Sequence, residues 1–475
     1  MKYFADIHCH PTLKAYGHSF PGRENSKNLK SKSSVWFYDP PNLFDKMIDL
    51  LGGIVKYRQS NFSALGFGNA GIVFASLYPM ERSFFDNKLG TGEFNDLLLN
   101  FITSVGRERI DFVQSVTDYF PDLENEYAYL KQMNGNQVTL ADRASYHYSL
   151  ARNSSDVMNT LNADTIDDQK SNSIAVLITI EGAHSFGTGI HPQQKPANPS
   201  YMLGNVEKVK NWEHRPIFIT LAHHFYNELC GHAESLTGKV KSAVDQSYMI
   251  NTGFTPLGLE VADKLLDNSG NKRILIDIKH MSRTSRLEYF NLLDTKYAGQ
   301  DIPVIVSHGA VIGNEQDKHL FMNADINLYD DEIIRVGKTS GLFGLQLDER
   351  RIAAPGDFEL KKTHGIERRK VLFHSSYLVW RQIQHIAELL DSQGLFAWGI
   401  QSIGSDYDGM IDPINGFWTA ENLPTLEDYL LMQAHTYMNS NSGKLTNFFN
   451  RIDPEEIVNR IMGDNAYNFV MKYYT

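Results

Sequence analysis

Two histidines separated by one residue, His8 and His10, close the apolar run Tyr3-Phe4-Ala5-Asp6-Ile7. In a strand, residues i and i+2 share a face, so both imidazoles can aim at one point while Cys9 points away. That is half of a metal site. A lone His-x-His says little in a chain with 17 histidines. It gains force because Glu181, His223, His280, His308 and Asp406 each stand at or just past the end of another apolar run. Imidazoles combined with carboxylates suit a borderline divalent cation, zinc being the default for imidazole-rich sites. A shared carboxylate could bridge two such ions about 3.5–4 Å apart, the spacing of binuclear hydrolases. Any one of these residues reads more easily as a core or loop residue. Seven at equivalent positions make a divalent metal site the expectation.

The elements that must position them are eight near-continuous apolar runs, at 3–10, 70–78, 174–180, 216–222, 273–279, 303–307, 341–347 and 395–400. Between them, helical periodicity predicts helices over 42–55, 93–117, 140–161, 255–266, 285–297, 330–339 and 369–391. Continuous apolar runs are what strands buried on both faces look like. Eight of them alternating with helices predict an α/β fold, the (β/α)8 TIM barrel, whose strand ends meet in one mouth. A doubly wound open sheet is the runner-up, and it would gather ligands at one switch point rather than at many strand ends. The chain reads as a single barrel domain over residues 1–475, with insertions near 18–68, 80–170, 310–326, 350–368 and 410–450.

Composition narrows the partners. A net charge of -11 leaves no basic surplus for phosphate backbones, so nucleic acid is not expected, and no polybasic run suggests a membrane surface. Two cysteines, Cys9 and Cys230, cannot build a disulfide framework, which fits a reducing compartment. With no leader pattern before His8 and no apolar stretch long enough to span a bilayer, a soluble cytoplasmic protein is expected. A homo-oligomer is compatible with the sequence but not specified by it.

The motifs Asp6-Ile7-His8-x-His10-Pro11, Ile180-Glu181-Gly182-x-His184, Leu221-Ala222-His223-x-Phe225-x-Asn227-Glu228, Ile276-Asp277-x-x-His280-x-Ser282, Val306-Ser307-His308, Asn327-Leu328-x-Asp330 and Gly404-Ser405-Asp406-x-Asp408-Gly409 stand in one order. In that order they resemble the renal (membrane) dipeptidase family of the amidohydrolase superfamily. The resemblance implies a binuclear zinc barrel that cleaves an amide bond of a small peptide-like substrate, a dipeptide above all, by attack of metal-bound hydroxide. It implies one ion on His8, His10 and Glu181 and a second on Glu181, His280 and His308. Asp406 would handle the proton beside the bridging hydroxide, and His223 would stabilise the oxyanion, with Asn227 also facing substrate. Asp408 and His184 are expected to orient ligands, and His224 and His232 to sit in a loop over the mouth. Lys279, next to His280, is expected to face the other way and not to bridge the metals.

Two departures matter. The family usually has His-x-Asp where this chain has His8-Cys9-His10, a change that raises the net charge of the site by one. Where the family places an arginine for the substrate carboxylate, this chain has Ile326. Either another cation, such as Lys318 or Arg351, reaches the mouth, or no fixed cation waits there and the substrate presents an uncharged or larger group. The second is the expectation. Competing functions are hydrolysis of an N-acyl amino acid, ester or lactone, and a metal-binding barrel without turnover. The complete set including Asp406 argues against the last, because a relic needs no general base.

Overall fold

In the computed structural model, which describes residues 3–88, 90–163, 171–188, 190, 196–236, 238–313, 318–357, 368–441 and 444–475, ten strands form one sheet. They are β1 (Phe4–Cys9), β2 (Ala70–Leu77), β3 (Val138–Thr139), β4 (Ser145–Leu150), β5 (Ser171–Glu181), β6 (Phe218–Thr220), β7 (Leu275–Asp277), β8 (Ile305–Gly309), β9 (Leu342–Leu345) and β10 (Gln401–Ile403). Parallel pairing runs β1-β2-β5-β6-β7-β8-β9-β10 and returns to β1, which closes an eight-stranded barrel with helices between strands. This is the (β/α)8 barrel expected. Closure brings the carboxyl ends of all eight strands to one mouth.

Structure and sequence expectation part where burial does not require strand or helix conformation. The eighth strand is Gln401–Ile403 and not 395–400. Ala397 and Trp398 are buried because they pack against the C-terminal segment: Asn450 Oδ1 accepts from the Ala397 N–H, and Asn465 Nδ2 donates to the Trp398 carbonyl. The expected helix over 140–161 is strand β4 followed by a helix at Ser154–Ala163. Tyr146, Tyr148 and Leu150 alternate inward with period two, the signature of a strand. β4 pairs with the first half of β5, and β6 takes the second half. The helix expected over 93–117 breaks into Glu93–Thr103 and Arg107–Ser115 at Ser104 and Gly106, both with positive φ. The remaining helices fall close to expectation, as at Pro256–Leu266, Arg283–Thr295, Asp330–Lys338 and Arg368–Ser392. Parts of the 80–170, 310–326 and 350–368 insertions lie outside the described residues. Among those described, no helix is long and apolar enough to cross a membrane.

A polar layer inside the barrel sets up the mouth. Buried Asp6 accepts hydrogen bonds from the N–H and hydroxyl of Ser405 and from the His8 N–H, joining β1 to the chain after β10. Buried Asp277 does the same across β6, β7 and β8, accepting from Thr220 Oγ1 at 2.6 Å and from the Ser307 and Lys279 N–H groups. Burial pushes the Asp6 carboxyl up to about 6, and its three hydrogen bonds limit the rise.

Candidate metal centre

The chain beyond β10 runs alongside β1, since the Asp406 N–H donates to the His8 carbonyl and the His10 N–H to the Tyr407 carbonyl, both at 2.9 Å. Asp406 is therefore held beside both histidines, in a left-handed turn (φ 60°) that an aspartate tolerates. Glu181 ends β5 and is followed by Gly182 at φ 88°, where a Cβ would lie 2.2 Å from His184 Nδ1. Only glycine fits there.

Glu181 sits at the centre. Its Oε1 lies 3.5 Å from Nε2 of His8, His223 and His280 and 3.7 Å from Nε2 of His308, while Oε2 is 3.1 Å from Nε2 of His10. Asp406 Oδ1 is 3.7 Å from His8 Nε2 and 3.6 Å from His10 Nε2. The donor atoms of His8, His10 and Glu181 lie within 4.8 Å of one another, as do those of Glu181, His280 and His308, and of His8, His308 and Asp406. Each set could hold a metal ion. A fourth set, His223, His224 and His280, meets the same distance.

The ring orientations fit ligation. His10 Nδ1 meets the Ser76 carbonyl at 3.1 Å and His308 Nδ1 the Ser307 hydroxyl at 2.9 Å, leaving each Nε2 for the centre. Both ring nitrogens of His8, Nε2 of His10 and Nδ1 of His280 are buried without a hydrogen-bond partner, a costly state that a bound cation would relieve at the nitrogens facing the centre. Burial holds His280 and His308 well below the ordinary range, so they stay neutral and keep a free lone pair. Burial acts to raise the Glu181 carboxyl, but the imidazoles of His223 and His8 outweigh it and hold it well below the usual range. Burial likewise acts to lower His10, yet the facing carboxylates of Asp406 and Glu181 carry it up to about 10. A metal ion on Nε2 would compete with that proton.

The other expected residues divide. His223 reaches the centre, with Nδ1 2.6 Å from Glu81 Oε2. His224 stands at the mouth, its ring centroid 3.9 Å from that of His223 and 4.9 Å from that of His280. His232 lies farther out, with Nε2 3.4 Å from the Tyr248 carbonyl. Asn227 is engaged inside its own loop, its Nδ2 donating to the Leu221 carbonyl and its Oδ1 accepting from the Leu229 N–H. Asp408 touches no ligand side chain and instead accepts from the Gln59 and Ser60 N–H groups and lies 3.2 Å from Lys14 Nζ. His184 faces the Pro79 carbonyl through Nε2.

Lys279 does not face away. β7 ends at Asp277 and His280 takes φ 65°, so strand alternation no longer applies. Lys279 Nζ lies 3.3 Å from Gln346 Oε1, and Gln346 Nε2 donates to Asp406 Oδ2 at 2.8 Å. Burial, reinforced by the Arg351 guanidinium, brings Lys279 down to about 7. Ile326 is buried, and Arg351, in the short helix Glu349–Ile352 after β9, donates to the Ser235 carbonyl. The Lys318 side chain is outside the described residues. Glu81 and Gln346 carried no sequence signal, because each reaches the centre from just beyond a strand end in a stretch without a motif.

Fold and site together define a metal-dependent hydrolase of the barrel type. A family model described as "Membrane dipeptidase (Peptidase family M19)" matches residues 59–442, and the chain belongs to that family. No curated protein matches. Among solved structures, the chain is similar to the dipeptidase AC, a metallopeptidase of family M19, at 14% identity and a TM-score of 0.54, covering 99% of this chain and 98% of the other. It is similar also to a metallopeptidase from Rhodobacter sphaeroides liganded with a phosphinate mimic of the dipeptide L-Ala-D-Ala, at 14% identity and a TM-score of 0.53, covering 99% of each chain. The protein is thus a metal-dependent, dipeptidase-like hydrolase.

Proposed function

We propose that the protein is a binuclear dipeptidase, and the observation that carries this reading is the place of Glu181. One carboxylate faces five imidazole nitrogens with both of its oxygens, an arrangement suited to a ligand shared between His8/His10 and His280/His308. Two divalent ions, zinc by default for this donor set, would lower the pKa of a water they share and make a nucleophile available near pH 7.

The side chains supply the rest. Asp406 takes a proton from the attacking water and hands it to the leaving nitrogen. Gln346 occupies its Oδ2, which leaves Oδ1 for that transfer. His223 directs Nε2 at the centre because Glu81 holds Nδ1, and it donates to the carbonyl oxygen as negative charge develops there. Burial works to lower His223, but the carboxylates of Glu181 and Glu81 raise it, which keeps the donor proton in place. Glu81 also accepts from the Phe225 N–H and the Tyr78 hydroxyl, so its own position is fixed. Glu81→Gln is expected to lower kcat by about 10–100-fold, the usual cost of losing such an orienting partner. Metal content measured alongside should not change.

The relative liganded with a mimic of L-Ala-D-Ala supports a dipeptide as substrate. Larger acyl groups remain the second reading on one observation: a cavity of ≈ 470 Å³ lies beside the His223 loop, lined by Phe225, Tyr226, His232, Gln246 and Tyr248 among others. Dialysis against a chelator followed by titration with Zn²⁺ tests the proposal on dipeptides, N-acyl amino acids and lactones. The expected result is dipeptide hydrolysis restored at two equivalents per chain. Saturation at one equivalent, or no cleavage of any dipeptide, overturns it.

A further inference from the structure

The mechanism above uses His223 as a hydrogen-bond donor and His280 as a ligand, and it gives His224 no part. Yet the donor atoms of His223, His224 and His280 lie within 4.8 Å of one another. The ring centroids of His223 and His224 are 3.9 Å apart, those of His223 and His280 4.6 Å, and those of His224 and His280 4.9 Å. Three imidazoles so close offer nitrogen donors of the kind zinc takes, with a fourth tetrahedral position left for water.

Two of the rings are supported from behind as ligating histidines are. His223 Nδ1 is 2.6 Å from Glu81 Oε2, and His224 Nδ1 is 2.6 Å from the Ser235 hydroxyl, so each ring turns Nε2 away from its partner. Engaging one ring nitrogen fixes the direction of the other. Gln246 secures the second arrangement, its Nε2 donating to the Ser235 hydroxyl at 2.8 Å and to the His224 carbonyl at 2.6 Å. His280 Nδ1 is buried with no hydrogen-bond partner among the described residues. Charge favours a cation as well, because His223 stands between two carboxylates: Glu81 at Nδ1, and Glu181 Oε1 3.5 Å from Nε2.

We propose that His223, His224 and His280 form a further zinc site, weaker than the binuclear centre, through which surplus zinc inhibits the enzyme. The proposal rests on the binuclear dipeptidase reading and adds a regulation of that same mouth. The site is the weaker one because it has no carboxylate ligand and shares His280 with the set of Glu181 and His308. Zinc takes the His223 Nε2 lone pair; the proton there leaves to solvent, while Nδ1–H stays donated to Glu81. The ion and the substrate's carbonyl oxygen then claim the same nitrogen, so zinc competes with substrate.

The test takes the whole protein, stripped with a chelator and reloaded from a zinc buffer past two equivalents per chain, as wild type, His224→Asn and Ser235→Ala. Bound zinc is read by equilibrium dialysis without substrate, and alanylalanine hydrolysis is read at the same free zinc. The wild type is expected to bind one further ion in a separate, weaker step. Across that step the apparent KM should rise with kcat unchanged, by about tenfold when free zinc is roughly ten times its dissociation constant. His224→Asn should lose the weaker step and hold KM constant over the same range, with hydrolysis at two equivalents within a few-fold of wild type. Ser235→Ala, which frees the His224 ring, should move the weaker step and the rise in KM together to higher zinc. Absence of a further ion in the wild type, an unchanged weaker step in His224→Asn, or a fall in kcat in place of a rise in KM overturns the proposal. A weaker step that vanishes in His224→Asn, in a protein that cleaves no dipeptide, supports the zinc site and sinks the dipeptidase reading alone.

Discussion

Asp406→Asn is expected to retain its metals and lose hydrolysis by ~10²–10⁴-fold, the usual worth of a positioned general base. The substitution is nearly isosteric, and the hydrogen bond from Gln346 Nε2 to Oδ2 can pass to the amide oxygen. The new amide nitrogen then faces His8 and His10 where Oδ1 stood, 3.7 and 3.6 Å from their Nε2 atoms. It can accept no proton. The backbone bond from residue 406 to the His8 carbonyl does not depend on the side chain, so the turn should survive. Steady-state kinetics with elemental analysis on the same sample decide the matter. Activity within a few-fold of wild type would remove Asp406 from the proton-transfer role.

Glu181→Ala should be more drastic still, removing both ions and all measurable hydrolysis. Among the described residues the carboxylate is the one acidic group facing His8, His10, His280 and His308 together. Without it each half of the centre keeps two imidazoles, and Asp406 remains only on the His8/His10/His308 side. Circular dichroism should report an intact barrel, because Asp6 and Asp277 tie the strand ends through bonds that do not involve Glu181. Elemental analysis that finds one ion lost and one kept would contradict a shared ligand.

The candidate ligand set was legible in the sequence for a physical reason. A strand buried on both faces must be apolar along its length, so a histidine or carboxylate at its end is conspicuous, and His8, His10, Glu181, His308 and Asp406 could be read from pattern alone. Barrel closure then placed them together, because eight such runs with helices between them have one common mouth. Apolarity reports burial and not backbone shape, which is why residues 395–400 read as a strand although Ala397 and Trp398 are buried against Asn450 and Asn465. Period-two alternation in Tyr146, Tyr148 and Leu150 was available but was outweighed by the apolar spacing of the longer window.

What only the tertiary structure decided is how the ligands are held and what surrounds them. Glu81 reaches His223 across 142 residues of sequence, and Gln346 reaches Asp406 across 60. Neither distance leaves a local trace. Lys279 stands beyond the end of β7 at Asp277, where strand alternation does not fix the direction of its side chain. Arg351 reaches Ser235 across 116 residues from a short helix after β9 whose backbone Asn327 holds. Residue type and spacing determined the metal chemistry this chain can do, since ligand atoms are a property of side chains. The positions of Asp406, His223, Lys279 and Arg351 depended on loop paths, and those are set by packing and hydrogen bonds between segments far apart in the chain.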